Sequence, residues 1–187
     1  MSENGLTAAR TKMRDAGVAQ QAIDVFTHYY TQLEGGATGL IPEETIEPLT
    51  RIDSIDGAAI DEDAAREALD RTALIKLNGG LGTSMGMDRA KSLLPVRDGR
   101  TFLDLLVDQV MAARRRSGVR LPLIFMDSFR TRADTLAALA AHPGIEVDGL
   151  PLDFLQNREP KLRADDLTPV EWEADPELEW CPPGHGD

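Results

Sequence analysis

Apolar residues recur every three or four positions in the first part of the chain. Gly17 predicts a break into two helices, and Gly35 and Gly36 mark the end of the helical region. Residues 40–60 then form an acidic connector, and residues 61–70 predict a short acidic helix. Over residues 6–33 the spacing predicts one apolar helix face, made of Val18, Ala22, Val25, Phe26, Tyr29 and Leu33.

The pattern changes after residue 70, where short apolar runs alternate with longer helical periods. "ALIKLN" (73–78) and "LPLIFMDS" (121–128) predict buried strands, and "IEVDG" (145–149) and "DFLQN" (153–157) are short and strand-like. Residues 101–118 and 129–142 predict helices between them. The first of these helices is expected to bury Phe102, Leu103, Leu106, Val110 and Met111.

Strands that alternate with helices predict a parallel sheet with crossover connections. The predicted fold class is therefore α/β, with a Rossmann-like, mostly parallel sheet preceded by N-terminal helices. We place a helical lead-in at residues 1–70 and the sheet domain at residues 71–187. Residues 158–187 lose periodicity and contain both tryptophans, Trp172 and Trp180, which we expect to be exposed.

Composition narrows the functional classes. The net charge of -12 over 187 residues argues against a general nucleic-acid binder, because such proteins carry a basic face. The lone cysteine, Cys181, fits a reducing compartment, and no apolar run reaches the roughly 18 residues of a membrane span. We expect a cytoplasmic protein without a membrane segment.

A glycine-rich loop, "NGGLGTSMG" (78–86), follows the first predicted strand. Ligands of parallel sheets bind beyond the carboxyl ends of the strands. Glycines let backbone N–H groups form a concave nest for phosphate oxygens. Thr83 and Ser84 add hydroxyl donors, and Lys91 adds a compact positive charge. The pattern therefore favours a phosphate-binding loop over a flexible connection.

Two common phosphate-binding templates do not fit this loop. A P-loop requires glycine directly before the lysine, whereas Ala90 precedes Lys91 and Ser92. The dinucleotide fingerprint G-x-G-x-x-G is also broken, since Gly80, Gly82 and Gly86 are spaced as G-x-G-x-x-x-G.

Three motifs in order resemble the UTP–glucose-1-phosphate uridylyltransferase family. They are "KLNGGLGTSMG" followed by "AKS", then "FLQNREPKL", then "PPGHGD" at the end of the chain. The resemblance covers about residues 70–187 and implies a nucleotidyltransferase-type sheet. The family pattern has proline before the lysine, where this chain has Ala90. It also continues beyond the last motif, so we expect this chain to be the N-terminal part of a larger enzyme with an incomplete catalytic domain.

The resemblance also implies roles for individual residues. It places Leu77, Asn78, Gly79 and Gly80 along the uridine, and Gly82, Thr83 and Gly86 around the triphosphate. Lys91 would neutralise phosphate charge during catalysis, and Gln156 would pair with the uracil edge. Gly184 would approach the base and His185 the sugar phosphate. The substrates implied are UTP and a sugar 1-phosphate, expected to be glucose 1-phosphate, with Mg²⁺ on the phosphates and no metal ligand in this chain.

Two other hypotheses stay open at this point. The chain could be a UTP-binding module or regulatory fragment without catalysis, because the stretch that supplies a metal-binding aspartate in the family has no counterpart here. It could also be a structural or assembly partner without a ligand. The oligomeric state is not indicated by the sequence.

Overall fold

The computed structural model describes residues 3–82 and 86–184, with side chains from residue 5 onward. The helices are α1 (Glu3–Asp15), α2 (Gln20–Glu34), α3 (Glu62–Asp70), α4 (Phe102–Ser117) and α5 (Arg132–Leu139). The strands are β1 (Leu74–Leu77), β2 (Pro95–Arg97), β3 (Arg100–Thr101), β4 (Leu123–Asp127), β5 (Asp153–Leu155), β6 (Glu159–Pro160) and β7 (Trp180–Cys181). Short 3₁₀ turns lie at Glu43–Thr45, Lys91–Leu93 and Pro176–Glu179. None of the helices in these ranges is long and apolar enough to cross a bilayer.

The chain divides into two compact units. Residues 59–156 form one unit, and residues 1–58 join residues 157–187 in the other. The tail after residue 156 therefore belongs with the N-terminal helices by its contacts. The functional boundary placed at residue 70 stays a prediction.

A three-stranded sheet lies at the centre of the unit formed by residues 59–156. Its order is β1-β4-β5, and β4 pairs in parallel with both neighbours. Leu74 lies opposite Leu123 in one pair, and Phe125 lies opposite Asp153 in the other. The predicted α/β class with a parallel sheet is confirmed. The strand-like segment 145–149 is not a strand, so that part of the prediction is wrong.

One face of this sheet is covered by helix α4. A capping box between Thr101 and Asp104 begins the helix, and Gly118, at φ 70°, ends it in the left-handed conformation that glycine favours. Phe102 was expected in the core but is 51% exposed, because the buried stripe follows an i, i+4, i+7 spacing that starts one residue later. The core cluster consists of Leu103, Val107, Val110, Val119, Leu121, Leu123, Phe125, Leu139 and Ile145.

The opposite face of the sheet is apolar, and its two outer strands are exposed there. Ile75 and Leu77 of β1 are 57% and 41% exposed, and Phe154 of β5 is 39% exposed. Parallel sheets ordinarily bury both faces, so both sides of each strand are apolar. This is why the strands appear in the sequence as short apolar runs without alternation.

A tight hairpin joins the glycine loop region to α4. Strands β2 and β3 are antiparallel, and Asp98 and Gly99 between them have φ values of 52° and 73°. Two successive positive φ values are typical of the Asp-Gly turn that closes two-residue hairpins. This "DG" signal is present in the sequence, but the predicted elements did not include the hairpin.

The other unit contains the predicted pair of N-terminal helices, which break at Gly17 (φ 73°). Their predicted apolar face is wrong in part. Helix α2 buries Ile23, Phe26 and Tyr30, whereas Tyr29 is 62% exposed. The buried side contains the Tyr30 hydroxyl, which donates a hydrogen bond to the Leu167 carbonyl at 2.9 Å, so the tail contacts the inward side of α2. Val25 and Leu33 are each 47% exposed.

The tail is held to α1 by polar contacts around one tryptophan. The Lys12 ammonium donates to the Val170 carbonyl at 2.8 Å and forms an ion pair with Glu179. The Arg158 guanidinium lies 4.5 Å from the centre of the Trp180 ring, a cation–π geometry. Trp180 is only 9% exposed, so its predicted exposure is wrong, whereas Trp172 is 55% exposed as expected.

Substitution of Trp180 tests this packing. Trp180→Ala should lower the free energy of unfolding by about 3 kcal/mol, because it removes a buried ring and leaves a cavity. Trp172→Ala is the matched control and should change it by less than about 0.5 kcal/mol. Urea unfolding followed by circular dichroism measures both, and equal losses for the two variants would contradict the packing described.

Candidate functional site

Three polar side chains lie where the three parallel strands end. Asn78 directly follows β1, Asp127 is the last residue of β4, and Gln156 directly follows β5. The Asn78 N–H donates to the Met126 carbonyl at 2.8 Å, and the Gln156 N–H donates to the Asp127 carbonyl at 2.9 Å. The ladder therefore continues one residue past each outer strand and places all three residues on the carboxyl edge of the sheet.

The described parts of the glycine loop pair with each other as a hairpin. The Lys91 N–H donates to the Gly80 carbonyl at 3.1 Å, and the Gly82 N–H donates to the Arg89 carbonyl at 3.1 Å. Leu81 and Ala90 form an antiparallel bridge between these bonds. This pairing returns the chain to the sheet edge and places the exposed Lys91 side chain beside Gly80.

The glycines of the loop differ in whether a side chain would fit at their position. A Cβ on Gly79 would stand 2.8 Å from Cδ of Gln156 and closer still to its Oε1. A Cβ on Gly82 would stand 2.7 Å from Cβ of Met87. A Cβ on Gly80 would meet only Cδ of Lys91, at 4.0 Å, which is ordinary contact. Gly79 and Gly82 therefore allow the Gln156 and Met87 side chains to pack against the backbone. At Gly80 a larger residue would meet no such side chain.

Gln156 presents an unused donor at this edge. The residue is 8% exposed, and its Nε2 is buried without a hydrogen-bond partner among the described residues. An unpaired buried donor costs free energy of folding, which suggests that a bound group supplies the acceptor. The amide lies directly against Gly79, at the root of the loop.

Asp127 is the centre of a buried polar network. Its Oδ1 accepts hydrogen bonds from Nδ2 of Asn78 at 2.8 Å and from the Thr135 hydroxyl at 3.0 Å. The Thr131 hydroxyl lies 3.4 Å from the same oxygen. Asp127, Thr131 and Thr135 are completely buried, and Oδ2 of Asp127 has no partner in the described part of the chain.

Burial determines the protonation behaviour of this carboxyl group. Desolvation raises the pKa of Asp127, and the hydrogen bonds from Asn78 and Thr135 oppose that rise. Burial also lowers the pKa of the nearby Lys76 ammonium, which the charge of Asp127 partly offsets. This network was not predicted, although "DSFRTRADT" places threonines four and eight residues after an acid that ends an apolar strand.

Not all of the predicted site residues lie together at the carboxyl edge of the sheet. Leu77 lies on the open face of the sheet, and the Asn78 side chain points into the buried network. Gly86 has φ 71°, and Gly184, with φ 127°, belongs to the other compact unit. Thr83 and His185 lie outside the described residues. The structure thus brings together Asn78, Gly79, Gly80, Lys91 and Gln156, while their roles stay predictions.

Within residues 3–82 and 86–184, no group of three or more His, Cys, Asp or Glu side chains forms a metal cage. The described site instead consists of the glycine backbone after β1, the Gln156 amide and the Lys91 ammonium. Such donors suit an anionic ligand that also offers a planar hydrogen-bonding edge.

The sequence of this chain is similar to known proteins of one enzyme family. The family model described as UTP–glucose-1-phosphate uridylyltransferase matches residues 23–187. A probable UTP–glucose-1-phosphate uridylyltransferase of Schizosaccharomyces pombe is 42% identical over 124 residues, covering 66% of this chain and 24% of the relative. The Solanum tuberosum enzyme of the same name is 40% identical over 133 residues, covering 70% of this chain and 28% of the relative.

Solved structures give the same assignment over nearly the whole chain. UDP-glucose pyrophosphorylase of Leishmania major superposes with a TM-score of 0.87 at 38% identity, covering 98% of this chain and 38% of that one. A Leishmania variant in complex with UDP-glucose gives a TM-score of 0.86. UDP-glucose phosphorylase of Trypanosoma brucei gives 0.88 at 40% identity, with 39% of that chain covered. The chain thus spans between a quarter and two fifths of the length of these relatives.

Two glycine substitutions test the close approach at the loop root. Gly79→Ala should displace the Gln156 amide with little loss of stability, because the blocked atoms are the far end of a flexible side chain. Gly80→Ala is the control, since its Cβ would meet only Cδ of Lys91. The Gln156 side-chain amide signals in a ¹H–¹⁵N spectrum should move in the first variant alone. Unmoved signals in Gly79→Ala would contradict the contact.

The raised pKa of Asp127 predicts a pH dependence of stability. The folded state holds this proton above the ordinary pKa of 3.8, where the unfolded state releases it. The contribution of Asp127 to the free energy of unfolding is therefore fully present below pH 3.8, and it is lost as the pH rises through the raised pKa. Melting temperatures of wild type and Asp127→Asn from pH 4 to pH 8 measure the effect. The variant should gain relative to wild type as pH rises, and a constant difference would contradict the prediction.

Proposed function

Because the chain belongs to the UTP–glucose-1-phosphate uridylyltransferase family, we propose that the carboxyl edge of its sheet binds UTP. In the whole protein this site would serve the formation of UDP-glucose and pyrophosphate from UTP and glucose 1-phosphate. The observation that carries the proposal is the buried Gln156 amide, which lies against Gly79 and has an unpartnered Nε2 among the described residues.

Uracil suits this amide by its hydrogen-bonding pattern. The pyrimidine edge offers carbonyl acceptors next to one N–H donor, and a primary amide offers a complementary donor and acceptor. The backbone at Gly79 approaches the Gln156 side chain without a Cβ between them. A flat base could therefore lie along Gly79 and Gly80 while its edge meets Gln156. A rotated amide could also pair with adenine, so the proposed preference for uracil requires that the pocket exclude the larger purine ring.

The phosphates of UTP would lie over the loop. Lys91 is exposed beside Gly80 and supplies positive charge where backbone N–H groups supply only partial charge. In nucleotidyl transfer the protein mainly positions the groups and stabilises developing charge. The proposed reaction is in-line attack by a phosphate oxygen of glucose 1-phosphate on the α-phosphorus of UTP. The bond from that phosphorus to the pyrophosphate breaks, and no covalent enzyme intermediate is required.

Magnesium enters this proposal as a companion of the triphosphate. The described residues do not form a metal cage, and Mg²⁺ is often held by substrate phosphates and one or two carboxylates. By the family resemblance, a carboxylate ligand for this ion would come from a later part of the whole protein. The apolar open face of the sheet supports a whole protein in which further structure completes the catalytic part.

A cytoplasmic location is part of the same proposal. Cys181 is a free thiol, partly buried, and burial raises its pKa, so it is poorly reactive. A nucleotide-dependent enzyme with one unpaired cysteine suits a reducing compartment.

Lys91→Ala tests the phosphate role. UTP affinity of the 187-residue chain should fall about ten- to hundredfold, because one hydrogen bond to a charged group is lost. Arg89→Ala removes an exposed cation from the same loop and should leave the affinity within about threefold. Calorimetric titration measures both variants. Equal losses would indicate a general charge effect and contradict the assigned role of Lys91.

Turnover separates catalysis from binding alone. The whole protein should release pyrophosphate from UTP when glucose 1-phosphate is supplied. The same assay on the 187-residue chain shows whether this part alone catalyses the release of pyrophosphate. Tight UTP binding by the whole protein without turnover on any sugar 1-phosphate would favour the alternative of a UTP-binding module.

A further inference from the structure

The buried network around Asp127 reaches the base of the glycine loop through one side chain. The Asn78 amide donates through Nδ2 to two acceptors, Oδ1 of Asp127 and the Thr135 hydroxyl, each at 2.8 Å. The Asn78 backbone N–H is bonded to the Met126 carbonyl as well. Asn78 is therefore fixed by its backbone and its side chain, and it cannot turn towards a ligand without breaking buried hydrogen bonds.

Asp127 links this residue to helix α5. Its Oδ1 lies between the Asn78 amide and the Thr135 hydroxyl, whose single hydrogen is shared between this oxygen and the Thr131 carbonyl, 2.8 Å away. All of these groups are at least 96% buried, so water does not compete for the bonds. The end of β1 is thereby connected to the first turn of α5 through a carboxylate on β4.

The connection matters because Gly79 is the next residue. Its backbone lies so close to the Gln156 amide that a methyl group would not fit between them. A small rotation at Asn78 would change this distance directly. We infer that Asp127 is a positioning residue for the nucleotide base, holding Asn78 so that Gly79 and the Gln156 amide keep their spacing. The inference rests on the proposed function, because the base is the uracil of UTP.

The asymmetry of the carboxyl group makes this role testable. Oδ1 carries the hydrogen bonds, while Oδ2 has no partner in the described structure. Asp127→Asn keeps an acceptor oxygen for Asn78 and changes only the unpartnered side, so it should rescue the function. Asp127→Ala removes one of the two acceptors of the Asn78 Nδ2.

The experiment compares variants of the 187-residue chain in two ways. UTP affinity is measured by calorimetry, and the Asn78 side-chain and Gly79 backbone amide signals are followed in the free protein by ¹H–¹⁵N spectra. Asp127→Ala should weaken UTP binding about tenfold or more and move both sets of signals. Asp127→Asn should stay within about threefold of wild type. Val107→Ala, a buried change in the α4 core, should lower the melting temperature but leave affinity and loop signals unchanged.

Each outcome bears on the inference. Unmoved Gly79 signals in Asp127→Ala, or an equal affinity loss in Val107→Ala, would overturn it. If Asp127→Ala does not fold, Thr135→Val takes its place, because it removes the other acceptor of the Asn78 Nδ2 and should move the same signals. If the wild-type chain binds no UTP, the proposed UTP site is contradicted for this chain. The signals of the free protein still decide whether Asp127 positions Asn78 and Gly79.

Discussion

The parallel pairing of β4 with both β1 and β5 is the constraint on which the candidate site depends. Parallel strands end at the same edge, so residues separated by up to 78 positions in the chain, Asn78 and Gln156, are brought to one line. Asp127 lies between them on the central strand. Without this alignment the glycine loop would have no amide beside it and no buried network beneath it.

A second constraint is steric and acts on top of the first. Gly79 admits the Gln156 side chain, and Gly82 admits Met87, because neither glycine has a Cβ. The first contact shapes the proposed base pocket, and the second closes the loop on itself. Lys91 then returns to the sheet edge through the hairpin bonds to Gly80. The loop is thus a packed structure with a defined geometry on its described sides.

Much of this arrangement follows from local sequence signals. Apolar runs of four to five residues before glycine or aspartate predicted β1 and β4, and the helical period predicted α4 and α5. The glycine loop and Lys91 were predicted from their chemistry and their place after a strand. Gln156 came from the family resemblance alone, because a glutamine beside a short strand carries no signal of its own.

Other features depend on contacts distant in sequence, which no local pattern contains. The buried side of α2 includes Tyr30, whose hydroxyl donates to the carbonyl of Leu167, 137 positions away in the chain. The burial of Trp180 depends on Lys12 and Arg158, from opposite ends of the chain. The Asp127 network likewise required knowing that Asn78 and Thr135 meet around the end of β4.

The most direct test of the account follows the Gln156 side-chain amide during titration of the 187-residue chain with UTP. The account predicts that UTP moves these two proton signals strongly and saturably, while ATP at the same concentration moves them little. Gln156 signals that stay in place at saturating UTP, or that respond equally to ATP, would contradict the placement of the uracil at the carboxyl edge of the sheet.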